Sequence, residues 1–398
     1  MMEFRRYLLL FILNIMPCVF CSSQNGMGVQ KDKYVKLFLC GDVMLGRGID
    51  QALKHPVDPV LYESYVKDAR AYIQLAEREN GEIPLPLSYK YIWGDALKVW
   101  KEFDPDLKLI NLETSITSSE EPWPGKGIHY RMHPENVKAL TVAGIDHCSL
   151  ANNHVMDWGR AGLEETMKTL SAVNIRFSGV GENEQAAKKP SIFQTEKGRI
   201  LVFSYGVRSS GIPSSWAAEG KGSGVNFLPN VGEEQLKDIK QNIRSFKKPG
   251  DIVVFSIHWG GNWGYTIDHR QKEFAHYLMD EAGVDLIYGH SSHHPMGMEV
   301  YKDKLIIYGA GDFINDYEGI SGQEEYRGEL SLMYFPEVEF STGKLRSLKL
   351  VPMRIKKFQL SRANERDALW MERVLEREGS KLGTHVRRGS DKSLVLEW

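Results

Sequence analysis

Apolar residues come along this chain in short β-rich runs, most of them closed by a glycine or a polar cluster and many followed by a stretch of helical spacing. The first run, Val35-Lys36-Leu37-Phe38-Leu39-Cys40, ends in Gly41-Asp42-Val43-Met44. Leu107-Lys108-Leu109-Ile110 ends in Asn111-Leu112-Glu113, and Ile145-Asp146-His147-Cys148-Ser149-Leu150 ends in Ala151-Asn152-Asn153-His154. In the second half, residues 251–257 end in His258-Trp259-Gly260-Gly261, residues 284–288 in Gly289-His290-Ser291-Ser292-His293-His294, and residues 304–308 lead to Gly309-Ala310-Gly311-Asp312. The intervening spacing predicts helices over 58–80, 95–103, 135–143 with Gly144 as the stop, 160–173, 233–246, 270–282 and 367–378. Residues 191–194 and 198–205 predict a hairpin, and 329–339 with 345–355 alternate as antiparallel strands do. Two stretches predict loops: 115–127, polar and rich in Pro and Gly, and 209–224, a lid with Trp216 at its tip. With no Pro/Ser linker and no internal repeat, one mature domain over 34–360 is the simplest partition, with residues 361–398 as a helix and tail packed on it.

Composition adds a compartment and removes a partner class. The chain has 398 residues, 42% apolar and 11% aromatic, as a globular protein does. Lys and Arg number 50 against 52 Asp and Glu, a net charge of -2 with no long run of one sign, so nucleic acid is not an expected partner. Arg5 and Arg6 precede an apolar run over 7–20 and then Cys21-Ser22-Ser23-Gln24. That pattern reads as a secretory signal over residues 1–23 and a secreted, periplasmic or envelope-associated protein. The run is shorter than the roughly 20 residues of a membrane span. Phe20 is a poor match to the small residue that would precede a lipidated Cys21. Cys40 and Cys148 lie in apolar runs and read as buried thiols, or as a disulfide if their strands are neighbours.

The run ends carry the chemistry. Asp42, Glu113, Asn153 with His154, His258 and the His290-to-His294 cluster all stand where open α/β proteins keep their sites. Singly, Gly-Asp is a turn dipeptide, Asn-Asn-His a turn or cap, and a histidine on a strand a satisfied core residue. Together they place partly desolvated carboxylates and imidazoles along one edge, which costs stability unless something binds them. Carboxylate and amide oxygens with imidazoles, and no thiolate, suit Mn, Fe or Zn in a catalytic site. The segment 128–133, with His, Tyr and Arg among apolar residues, fits the wall of an anionic-substrate pocket and equally an edge strand. Trp93 reads as core.

The ordered series Gly41-Asp42-Val43-Met44, Asn111-Leu112-Glu113, Ala151-Asn152-Asn153-His154, His258-Trp259-Gly260 and Gly289-His290-Ser291-Ser292-His293 resembles the bacterial capsule-synthesis CapA family. That family is associated with poly-γ-glutamate biosynthesis and related to the calcineurin-like metallophosphoesterases, and the resemblance spans about residues 35–320. It implies an α/β fold, a four-layer αββα sandwich of two mixed sheets. It also implies one or two divalent transition metal ions, with Asp42 and Glu113 as carboxylate ligands, Asn153 as an amide ligand, and His258, His290 and His293 as imidazole ligands. His154 would donate a proton to the leaving group, with Asp157 holding its orientation. Three departures stand out. Met44 occupies a position where these phosphoesterases usually have His, His290-Ser291-Ser292-His293 replaces Gly-His-x-His, and Asp312 replaces an Asn. The first two put a second metal position in question, and the third would add a carboxylate behind the ligands.

Together with the signal pattern, the resemblance implies a secreted, metal-dependent hydrolase acting on a phosphoester or γ-glutamyl substrate in capsule or poly-γ-glutamate biosynthesis. Its partners would be a polyanionic polymer and membrane-bound capsule synthesis components. Met44 at a ligand position supports the alternative, a non-catalytic metal- or polymer-binding component of exopolymer synthesis or export.

Overall fold

The structure, a computed structural model, describes residues 34–389 and 391–398. The secretory signal expected over 1–23 lies outside them. Among the described residues no helix is long and apolar enough to cross a membrane.

Alternation along the strands sorts the core into layers. In the strand Tyr34–Cys40, Val35, Leu37 and Leu39 enter one apolar cluster and Phe38 and Cys40 another. In Arg199–Val207, Ile200 and Val202 join the first of these clusters, while Leu201, Phe203 and Tyr205 join a third. Ile252 and Val254 divide from Val253 and Phe255 in the same way. A period of two with both faces apolar means a sheet covered on both sides. The shared cluster is therefore the layer between two sheets. The helices Ala96–Phe103, Lys138–Ala143 and Gly159–Ala172 cover the outer face of one sheet, and Glu233–Phe246 and His269–Tyr277 that of the other. The expected four-layer αββα sandwich is what forms.

Both sheets are mixed. In the first, Tyr34–Cys40 runs parallel to Leu107–Leu112 and antiparallel to Leu330–Glu339. In the second, Arg199–Val207, Ile252–His258, Leu286–His290 and Lys304–Ile307 are parallel, with antiparallel strands at its margins. Register then aligns the strand ends. Asp42 pairs with Asn111 and with Asp312, and Asn111 with Ser149. On the facing sheet Gly206, His258 and His290 share one row. The tail strand Leu394–Glu397 extends the first sheet through Leu345–Lys356.

Most predicted elements form, and three expectations need correction. The helix expected over 58–80 begins only at Arg70, because residues before it are drawn into a bridge between Val60 and Asp68. Residues 209–224 do not project as a lid, since Trp216 is fully buried and edge-on to Trp123. The two strands His385–Arg388 and Leu394–Glu397 follow the last helix where none was expected. Cys40 and Cys148 are free buried thiols, with the strand Leu107–Leu112 between theirs. Trp93 is core, its indole donating to the Ala139 carbonyl at 2.7 Å.

Candidate metal centre

The carboxyl ends of the parallel strands of both sheets meet at one edge, and the chemistry-bearing residues meet with them. Asp42, Glu113, His293 and Asp312, all buried, place one ligand atom each within 4.8 Å of one another. Asp42 arrives where the first strand is interrupted at Gly41, and Glu113 directly follows Leu107–Leu112. Asp312 opens the short strand Asp312–Ile314 paired to Asp42. His293 sits at φ 56, after Ser291 at φ 89, in a turn that reverses the chain beyond Leu286–His290. Such left-handed residues are sparse and mark a backbone held by its surroundings.

The other expected ligands surround this cluster. His258 lies with Nε2 3.1 Å from Asn153 Oδ1 and 3.7 Å from Glu113 Oε1, so a second-sheet imidazole touches two first-sheet groups. His290 Nδ1 is 3.5 Å from Asp42 Oδ1, and its Nε2 is 2.9 Å from the Ser256 hydroxyl. The residue expected only behind the ligands, Asp312, is thus in the tightest group, and His258, His290 and Asn153 adjoin it. Register explains this, because Asp312 is the direct strand neighbour of Asp42.

The donor set fits a divalent cation. Both Glu113 oxygens and His290 Nδ1 are buried with no hydrogen-bond partner. A buried carboxylate in that state costs several kcal/mol unless neutralised. Burial, then the neighbouring Asp42 charge, push the Glu113 carboxyl well above the usual range. Burial and Asp42 also raise Asp312, against the opposing pull of His293. Asp42 goes the other way. Burial would raise it, but the His290 imidazole, with Nδ1 3.5 Å away, and the field of His258 and His293 lower it to about 2. Burial lowers His258 to about 3. At His293 burial is overcome by Asp312, whose oxygen is 2.9 Å from Nδ1, and the imidazole rises to about 10. A cation bound there would balance the three carboxylates of the cluster.

A second group adjoins the first. His154 Nδ1 is 2.7 Å from Asp157 Oδ2, the orientation expected from the three-residue spacing. Its ring stacks on Tyr130 with centroids 3.9 Å apart. Sequence reasoning missed Lys126, which reaches in from the 115–127 segment to 2.7 Å from Asp157 Oδ1 and 3.2 Å from His154 Nδ1. A lysine in a Pro/Gly loop carries no periodic signal. Burial raises Asp157 to about 6 despite Lys126 and the Tyr130 N–H, which both favour its anion. Burial, and then Lys126, lower His154 well below the ordinary imidazole range. Arg47 was also missed. It is buried, bridges Asp316 and Glu63, and stacks over Tyr130 at 4.7 Å, which steadies the ring beneath His154.

Two mixed sheets sharing one carboxyl edge, with a buried carboxylate and imidazole cluster there, define an αββα protein with a candidate metal centre. The chain belongs to the bacterial capsule synthesis protein PGA_cap family, whose model matches residues 36–317. It is 42% identical over 364 residues to a "Probable polyglutamine synthesis accessory protein" of Mycobacterium tuberculosis (strain H37Rv), covering 91% of this chain and 96% of that one. It is 27% identical over 286 residues to the PGA biosynthesis protein CapA of Bacillus subtilis (strain 168), covering 72% of this chain and 64% of that protein. Among solved structures, one described as a novel phosphatase from Mycoplasma pneumoniae superposes with a TM-score of 0.45 at 13% identity, over 84% of this chain and 96% of its own.

Proposed function

We propose that this protein is a metal-dependent hydrolase of the cell envelope that acts in capsule or poly-γ-glutamate biosynthesis, on a phosphoester or γ-glutamyl bond. The single observation that carries the hydrolase reading is the pair of unbonded, buried Glu113 oxygens among Asp42, His293 and Asp312. The family and the names of the relatives support the pathway. Asp42, Glu113, His293 and Asp312 would hold a first ion, with Asn153, His258 and His290 closing the site or holding a second. A divalent transition ion there supplies Lewis acidity and a bound water of lowered pKa.

The residues around it handle the proton. With Asp157 ionised, the neutral His154 donates Nδ1–H to it and leaves Nε2 as an acceptor. Donation to a leaving group therefore needs the imidazolium, which an anionic substrate beside Nε2 favours. Asp157 stabilises that cation, and Lys126 limits how readily it forms without substrate. Tyr130 holds the ring plane. In this reading the polymer and membrane-bound synthesis components are the partners, and the protein is secreted or held at the envelope.

The test is hydrolysis of chromogenic phosphoesters and γ-glutamyl anilides by protein reconstituted with Mn, Fe or Zn. We expect turnover that His154→Gln lowers by about 10²–10⁴-fold with KM little changed. Metal-loaded protein that binds polymer but turns over neither class would contradict the reading and favour the non-catalytic binding component.

A further inference from the structure

Two phenols meet between the metal-ligand cluster and His154. Tyr130 stacks on the His154 ring, and Tyr317 stands edge-on to the His293 ring with centroids 6.0 Å apart. Their hydroxyls bond to each other at 2.8 Å. The pair thus links the imidazole that handles the proton to a member of the tightest ligand group.

One side chain holds both rings. Arg47 commits its fork to Asp316 and Glu63 and turns its flat side to the tyrosines, 4.7 Å from the Tyr130 centroid and 5.6 Å from that of Tyr317. Tyr317 is also fixed along the chain. Its N–H donates to Asn315 Oδ1 at 3.1 Å, and Asn315 Nδ2 donates to Asp312 Oδ2 at 2.8 Å. The segment that brings Asp312 to the cluster therefore sets Tyr317 as well.

A phenol has one O–H to give. The mutual bond uses one of the two protons, and the other finds no acceptor among the described residues. Burial pushes both phenols up, and the Glu113 charge adds to it in each, so both oxygens keep their protons. Tyr317 is half-buried, which leaves the pair within reach of a ligand. A neutral donor held in place beside a metal centre suits an oxygen that gains negative charge during reaction. A carbonyl offers one oxygen, which lies against the cation in metal-assisted attack. A phosphoryl group has three non-bridging oxygens and keeps one for a separate donor.

We propose that the Tyr130 and Tyr317 hydroxyl pair donates its spare O–H to a non-bridging oxygen of a phosphoryl group bound at the cluster, which makes both tyrosines catalytic residues. This deepens the hydrolase reading by choosing the phosphoester of its two bond classes, and rests on it. Either phenol can carry the spare proton, so the decisive variant removes both hydroxyls.

Calorimetric binding of inorganic phosphate to the Mn-loaded full chain tests it, with Mn content and Tm measured on each protein. Y130F/Y317F keeps both rings and should bind phosphate roughly tenfold or more weakly at equal Mn content. Its turnover of a chromogenic phosphoester should fall by about 10²-fold or more. Equal phosphate affinity in wild type and Y130F/Y317F, no phosphate binding by wild type, or turnover of γ-glutamyl anilides but of no phosphoester would each overturn the proposal. So would a double variant that has lost its Mn, since the pair would then be structural. The two failures are distinct. Equal phosphate affinity beside ester turnover by wild type sinks this proposal alone, whereas phosphate held through the pair with no turnover of either class sinks the hydrolase reading.

Discussion

Glu113 is where the site is least content with itself. Its oxygens are buried, unbonded and close to two other carboxylates, so in metal-free protein the group resists ionisation. Glu113→Gln should therefore stabilise the chelator-treated protein, by about 1–3 kcal/mol, while shrinking the rise in Tm that added metal produces. Thermal melts with chelator and with Mn measure both; a variant less stable without metal would contradict this account. Asp157 makes a second case. Its carboxyl is raised to about 6, so the anion that orients His154 is lost as pH falls through that value. The imidazolium that donates carries that same proton, so kcat/KM should fall as pH rises through about 6. Lys126 favours the anion, so Lys126→Met should move that fall to higher pH, and an unmoved fall would remove Lys126 from the site. At this scale the ligand types were legible because each stood at the end of an apolar run. Asp312 was legible as a carboxylate near the site but not as a member of its tightest group, since strand neighbours are not written in linear spacing. Lys126 and Arg47 carried no pattern at all.

At the scale of elements, strand ends aim the side chains, and close backbone contact fixes the ends. A Cβ at Gly41 would overlap the Gly311 carbonyl, where Asp42 N–H donates to the same carbonyl at 2.8 Å. Gly41→Ala must push apart the strands that carry Asp42 and Asp312. It should cost about 1–3 kcal/mol, seen as a lower Tm, and should weaken metal binding as well. Native stability with full metal affinity would show that the junction is looser than described. Strands with both faces apolar were easy to find in the sequence, and so were helices with a clear stop such as Gly144, at φ 64. The errors came from segments whose composition resembles loop. Residues 209–224 are dense in Gly and Ser, yet they fold inward because Trp216 finds an apolar socket beside Trp123. Residues 58–69 have helical composition, but the Val60 and Asp68 bridge competes successfully with the helix.

For the whole molecule, the central claim is that two sheets, packed through one shared apolar layer, bring their carboxyl edges together to build a metal centre that neither sheet could form alone. His258 against Glu113 and Asn153, and His290 against Asp42, are contacts from one sheet to the other. The four-layer architecture followed from the alternation of the strands together with the resemblance. The convergence of the edges was implied by the resemblance, which put ligands from both halves of the chain on one site, and not by the alternation, because the register between distant strands is set by packing. Metal content of the purified protein, measured by ICP-MS after reconstitution and beside Asp42→Ala with Asp312→Ala, tests the claim most directly. The account predicts about one or two Mn, Fe or Zn per chain in wild type and none retained by the double variant. A wild type that holds no metal, or a double variant that holds as much, would contradict it.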